Sequence, residues 1–355
     1  MEKSHFAEKA ALILAIIALI GALVGIISMY RHDRKARAEE YERRSEELAS
    51  EQLGTEALEF SARYQERMPC DGIVCWGDEG AYGNRVGSVP GTLGHIVNDR
   101  LFSEAAEQLS AKKATNLIPT LVFPVFNLGV DGEGVREIMA RAGTLPMVAG
   151  EEFVIPAGRM RVQFDITDEN DNVIKFAEQR VSKIGTVSIQ GIDGLLYKGE
   201  HYDATHYKLA FERARQGDEV TIAKGTPLTF ESAEKYRGCI PVILVESDPE
   251  DPDRLWDNSD TGDDATEIIE DILARHRKGD EQYVVVCATE EDSACDKAFR
   301  DEFGDHYLRA DKWHDEMQEA DFEELAERIW DCLDGQRVFD PIRENVKQLL
   351  DELEQ

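Results

Sequence analysis

The apolar run Ile73-Val-Cys-Trp76 stops at Gly77-Asp78-Glu79-Gly80. A β-rich run that ends in this way carries one side chain to the edge of a sheet. That is where a hydrolytic site presents its nucleophile, and the residue standing there is Glu79. Further carboxylates fall in the loops that follow later apolar runs. Asp78, Glu79, Asp131, Glu133 and Asp248 together offer oxygen ligands of the kind that hold a divalent cation. A solvated acidic rim accounts for them more simply, because the whole chain is acidic, and no metal or cofactor is expected. No His/Cys group has zinc spacing.

The elements that must position these residues can be read from composition and pattern. The chain has 355 residues, of which 42% are hydrophobic, enough for one large domain or two ordinary ones. Its net charge of −32 argues against nucleic acid as a partner, since phosphate binding needs clustered Lys and Arg. Of the six cysteines, Cys75 and Cys287 sit inside apolar strand-like runs and read as small buried hydrophobes. Three disulfides remain arithmetically open.

A short tail, residues 1–9, precedes an uncharged apolar stretch over residues 10–30. That length spans a bilayer as a helix and is longer than the apolar core of a cleaved signal peptide. The expectation is a single-span anchor in a lipid bilayer. Gly21 and Gly25 form a GxxxG pattern, which would let two such helices dimerise, although ordinary glycine usage in a membrane helix explains it more simply. Arg31, Arg34, Lys35 and Arg37 follow the span closely and lean the soluble part towards the cytoplasm. Residues 31–69 are charged and helix-forming, which predicts a helical stalk.

From Cys70 onward, apolar runs alternate with amphipathic stretches. Residues 70–143 and 238–355 predict a parallel α/β sheet, with strands at Ile73–Trp76, within Leu117–Asn127, at Ile240–Val245 and at Tyr283–Cys287. Helices are expected near Thr92–Leu109, Val135–Ala142, Thr266–Arg277, Cys295–Phe303, Phe322–Trp330 and Pro341–Leu353. Residues 144–237 change character. Short alternating runs separated by Gly, Asp and Asn predict an inserted antiparallel β subdomain.

The ordered blocks resemble the SGNH (GDSL-like) hydrolases, in particular members with a β insertion after the second block. The residues that carry the resemblance are Cys75-Trp-Gly-Asp78, Asn127-Leu-Gly-Val-Asp-Gly-Glu133, Gly191-Ile-Asp-Gly194, Gly225-Thr-Pro227, Phe303-Gly-Asp-His-Tyr307 and Asp334-Gly-Gln-Arg337. The resemblance runs over roughly residues 71–352. It implies a three-layer, flavodoxin-like fold and an acyl-transfer site. In the family a Ser follows Gly-Asp, a second-block Gly and a third-block Asn help form the oxyanion hole, and an Asp-x-x-His pair near the end activates the Ser.

Carried over residue by residue, the pattern is broken. Glu79 stands at the Ser position, Asp248 at the Asn and Arg337 at the His, while Gly132 and Asp334 are retained. Glu79 and Asp248 would put negative charge where a negative transition state forms. Loss of one oxyanion donor alone costs about 2.7–4 kcal/mol. Arg337 stays protonated and cannot be a general base. The resemblance therefore implies an inactive hydrolase relative that binds a small ligand or a protein. Glu79 and Arg337 either form an ion pair across the old catalytic contact or have drifted independently. The alternative is an active esterase or deacylase using displaced residues. Asp311-Lys-Trp-His314 matches Asp-x-x-His literally, although the family's motif abuts the last helix, and Ser88 in the loop after Glu79 supplies a hydroxyl.

Overall fold

The computed structural model describes residues 55–78, 81, 83–112, 114–130, 135–174, 183–203, 206–246, 263–276, 282–313 and 316–353. A parallel sheet contains β1 (Ile73–Gly77), β2 (Val125–Gly129), β12 (Ile240–Glu246), β13 (Val284–Ala288) and β14 (Tyr307–Ala310). Their order across the sheet is β14-β13-β12-β1-β2, and every neighbouring pair is parallel.

Every residue of β1 and β13 is buried, as strands covered on both faces require. Alternation splits β1 between two cores. Ile73 and Cys75 point to one face, Val74 and Trp76 to the other. The first face is covered by α1 (Thr55–Glu66), α2 (Val89–Ala111), α7 (Glu319–Gly335) and α8 (Asp340–Glu352). The second is covered by α3 (Val135–Ala142), α5 (Asp263–His276) and α6 (Ala294–Phe303).

Between α3 and β12 the chain builds an antiparallel sheet. It contains β3 (Met147–Ala149), β5 (Val162–Phe164), β6 (Ile166–Thr167), β7 (Lys183–Ile189), β8 (Ile192–Asp203), β9 (His206–Arg213) and β11 (Pro227–Phe230). A further pair joins β4 (Phe153–Ile155) to β10 (Val220–Ile222). This part has its own core, with Phe164, Phe211 and Phe230 fully buried. The hairpin of β8 and β9 is its longest element, yet sequence reading passes over it. Glycines and charges in IDGLLYKGEHYD interrupt the alternation, and cross-strand pairing supplies what the local pattern lacks.

The two parts are tied at their junction. Ser232 Oγ, in the short helix α4 (Ser232–Lys235), donates to Arg141 O at 2.7 Å, and beside it, within the parallel-sheet part, His276 Nε2 is hydrogen-bonded to Ala142 O at 2.9 Å. Gly143 makes the exit with φ +81°, and a Cβ there would lie 2.6 Å from Ala233 Cβ.

The charged segment through residue 69 does not end as a free stalk. Ala57, Phe60 and Tyr64 of α1 are fully buried in the first core, and the Tyr64 ring meets Phe102 edge-on at 6.0 Å. Arg67 Nη2 pairs with Glu352 at 2.8 Å. The helix-forming charges on α1 are one face of an amphipathic helix whose other face is apolar. Among the described residues no helix is long and apolar enough to cross a membrane. The expected span at residues 10–30, with Gly21 and Gly25, lies outside them.

Candidate functional site

The chain passes from β1 outwards to β2, then returns to the other side of β1 to form β12. At such a switch point the connections leave in opposite directions and open a crevice at the carboxyl ends of the strands, where ligands bind in open α/β sheets. Here the switch point lies between the ends of β1 and β12, and Asp78 stands at it. The carboxylate is buried. Its Oδ2 accepts from Glu246 N at 2.9 Å, and its Oδ1 accepts from Trp313 Nε1 at 3.2 Å. One side chain thus joins the ends of β1 and β12 to the loop after β14.

Gly77 makes this junction close enough. A Cβ there would lie 2.1 Å from Leu244 O and 2.9 Å from Ala81 Cβ, so no other residue fits beside β12. Its carbonyl accepts from Val130 N at 3.1 Å, which fastens the end of β2 to the same edge. The loop after β1 is anchored as well. Asn84 Nδ2 donates to Met317 O at 3.1 Å, and Gly87 packs against the Phe322 ring.

The loop between β14 and α7 borders a cleft of about 180 Å³. The cleft is lined by Asp311, Lys312, Met317, Asp321, Glu324 and Arg328, among others. Lys312 Nζ pairs with Asp321 Oδ1 at 2.7 Å. That hydrogen bond holds the Asp321 carboxyl below its ordinary value and raises Lys312. Asp321 Oδ2 also accepts from Gln318 N at 2.8 Å and closes a capping box at the start of α7. Asp311 is paired with Arg309 at 2.5 Å.

Asp334 and Arg337 are not at this edge. They follow α7 down to the amino end of the sheet. There Gln336 Nε2 donates to Tyr283 O at 3.0 Å and Tyr283 N donates to Gln336 Oε1 at 3.2 Å, just before β13 begins. Asp334 Oδ1 lies 2.8 Å from Arg343 Nη1. Arg337 has φ +57°, its N–H donates to Asp334 O at 2.9 Å, and Val338 N donates to Leu333 O at 3.2 Å. This is a Schellman helix stop, with arginine at the left-handed position. The five residues of β1, at about 3.3 Å each, separate the two edges. Of the two alternatives for Glu79 and Arg337, an ion pair or independent drift, only the Arg337 side is described, since Glu79 lies outside the described residues. Arg337 terminates a helix at the end of the sheet opposite Asp78, the residue that precedes Glu79.

Glu79, Gly132, Asp248 and His314 lie outside the described residues, as do Asp131 and Glu133 of the acidic set. Ser88 is described and has a structural role. It is the N-cap of α2, and its Oγ accepts from Gly91 N at 3.2 Å. Sequence reasoning weighed Asp311 and His314 and missed Trp313 between them, the residue that reaches Asp78. The available signal was a lone tryptophan in the charged run Ala310-Asp-Lys-Trp-His-Asp-Glu316. Among the described residues no group of three His, Cys, Asp or Glu side chains could hold a metal ion.

Compared with known protein families, curated proteins and solved structures, the chain gives no match.

Proposed function

We propose that the chain is a bilayer-anchored, SGNH-hydrolase-like protein whose switch-point crevice binds a small ligand or a protein without serine-dependent turnover. The observation that carries this reading is the junction at Asp78. Asp78, the residue before Glu79, holds the ends of β1 and β12 and the loop after β14 together through both its oxygens, which supports reading this edge as the scaffold of an acyl-transfer site. The residue that follows it is Glu79, and a carboxylate there repels the oxyanion such a site must stabilise. The strand order and the antiparallel insertion are consistent with the flavodoxin-like fold of that family.

A second reading, a hydrolase working through displaced residues, is favoured by one observation. Asp311, Lys312 and Trp313 enter the loop after β14 on the same edge as Asp78, and the next residue in the chain is His314. A base would then come from this loop and not from Arg337.

The test is ester hydrolysis by the full chain on a short aryl ester. The binding reading expects no turnover by the wild type, the same from His314→Ala, and a gain in Glu79→Ser that His314→Ala removes. Adding Arg337→His would change nothing. Wild-type turnover that His314→Ala abolishes would establish the hydrolase instead.

A further inference from the structure

A second cleft, of about 300 Å³, opens where the antiparallel part meets the edge strand β2. Leu128 of β2 and Arg141 of α3 line one side of it. Thr186 of β7, Phe230 of β11 and the helix α4 line the other. The chain crosses between the two parts at Gly143 and again near Gly238, with φ +81° and +92°. Small-molecule sites form preferentially at such boundaries, and this volume falls at the lower end of their range. The cleft shares no lining residue with the Asp78 junction.

Its floor is charged and held in place. Arg141 is buried in the last turn of α3. Its guanidinium lies 5.7 Å from the centre of the Trp76 ring, and Nη2 donates to Leu128 O at 2.7 Å. These two contacts fix the planar fork in one orientation. At the rim, Lys235 Nζ lies 3.7 Å from Glu231 Oε1, and the two side chains are 55% and 54% exposed. A pair so exposed is weak, and Lys235 can turn to another anion at little cost. Among the described residues the lining therefore sets two cations against one carboxylate, in a chain whose net charge is −32. The walls are apolar. Phe230 is buried, and the Tyr236 ring is braced by Phe126 at 4.9 Å between centres.

We infer that this cleft binds a small monocarboxylate with a short apolar tail. The carboxylate meets the Arg141 guanidinium, whose planar fork matches it, and Lys235 closes on it from the rim. The tail lies against Leu128, Phe230 and Tyr236. One negative charge suits the balance of the lining, whereas inorganic phosphate brings a second charge that Glu231 repels. A cation already buried and oriented attracts an anion more strongly than one in water. Both parts of the molecule contribute to the lining, so the occupied cleft ties them together. The inference is independent of how the Asp78 edge is read.

The test is isothermal titration of the full chain with pentanoate, with pentanamide as its uncharged match and inorganic phosphate as a second anion. Pentanoate should bind saturably and about tenfold or more tighter than pentanamide, the difference expected of a hydrogen-bonded charge. Phosphate should give no response. Lys235→Gln should weaken pentanoate several-fold and leave pentanamide as it was, and because Lys235 is exposed this variant keeps the fold. Tyr236→Ala should weaken both organic probes alike, since they share the tail. Arg141→Gln should abolish the preference for pentanoate; if it does not fold, Lys235→Gln and the pentanamide comparison decide. Equal affinity for pentanoate and pentanamide, tighter binding of phosphate, unchanged pentanoate affinity in Lys235→Gln, or no binding at millimolar pentanoate would each overturn the inference.

Discussion

Asp78 commits both carboxylate oxygens to protein donors, one on the backbone after β12 and one on Trp313. Removing the acceptor leaves a buried N–H at each. Asp78→Ala is therefore expected to lower unfolding free energy by about 2–4 kcal/mol in urea denaturation, and Trp313→Phe, which removes one donor, by less. If Asp78→Ala is as stable as the wild type, the junction does not hold the three loops together. Arg337 predicts the opposite sign. A residue with a Cβ at φ +57° is strained, so Arg337→Gly should gain up to about 1 kcal/mol. The same variant should leave any ligand binding at the crevice unchanged, since it lies at the other end of the sheet. A loss of binding in Arg337→Gly would return it to the site.

The helices carry unequal shares of this fold. α1 comes before the first strand, yet its Phe60 and Tyr64 complete the core beneath β1 and α2. Phe60→Ala should cost about 3–5 kcal/mol, a cavity effect that thermal or urea denaturation would detect. A fragment beginning at residue 71 should be markedly less stable than one beginning at residue 55, because its missing helix leaves an apolar face exposed. Equal stability of the two fragments would show that α1 is dispensable.

At the scale of the whole molecule, stability should fall on both sides of neutral pH, for different groups. His276 is buried between α3 and Trp76, and burial lowers its pKa in the folded state. The unfolded chain then binds the proton more readily. The stability this contributes is full above about pH 6.5 and declines below it, by at most about 1.4 kcal/mol per pH unit. On the alkaline side, burial raises Cys75, Cys239 and Cys287, with Cys239 pushed up to about 12. Their contribution is full below the ordinary thiol pKa, about 8.5, and is lost as pH rises above it. Melting temperature measured across pH 5–10 should show both flanks, and His276→Asn should flatten the acid one. An acid flank that persists in His276→Asn would assign it to carboxylates.

The inner strands of the parallel sheet were legible as residues, whereas the edge strand β14, Tyr-Leu-Arg-Ala and only half-buried, was not. Runs such as Ile73–Trp76 and Ile240–Val245 are apolar throughout because both faces are covered, and burial on both faces leaves a mark that a short window can read. The position of the candidate crevice was legible too, since Gly77-Asp78 ends such a run. The antiparallel hairpin of β8 and β9 was not, because its stability comes from partners across the sheet. Nor could spacing along the chain assign Asp334 and Arg337 to an edge. A helix of 17 residues carries its two ends to opposite ends of the sheet, and only the packing of α7 shows which end of it meets Asp78. The amino-acid order determined what stands at each strand end, including Asp78 and Glu79 after β1. The tertiary structure decided which of those residues meet. It joined Asp78 to Trp313, because contacts between distant segments are made by packing and leave no periodic trace in the chain.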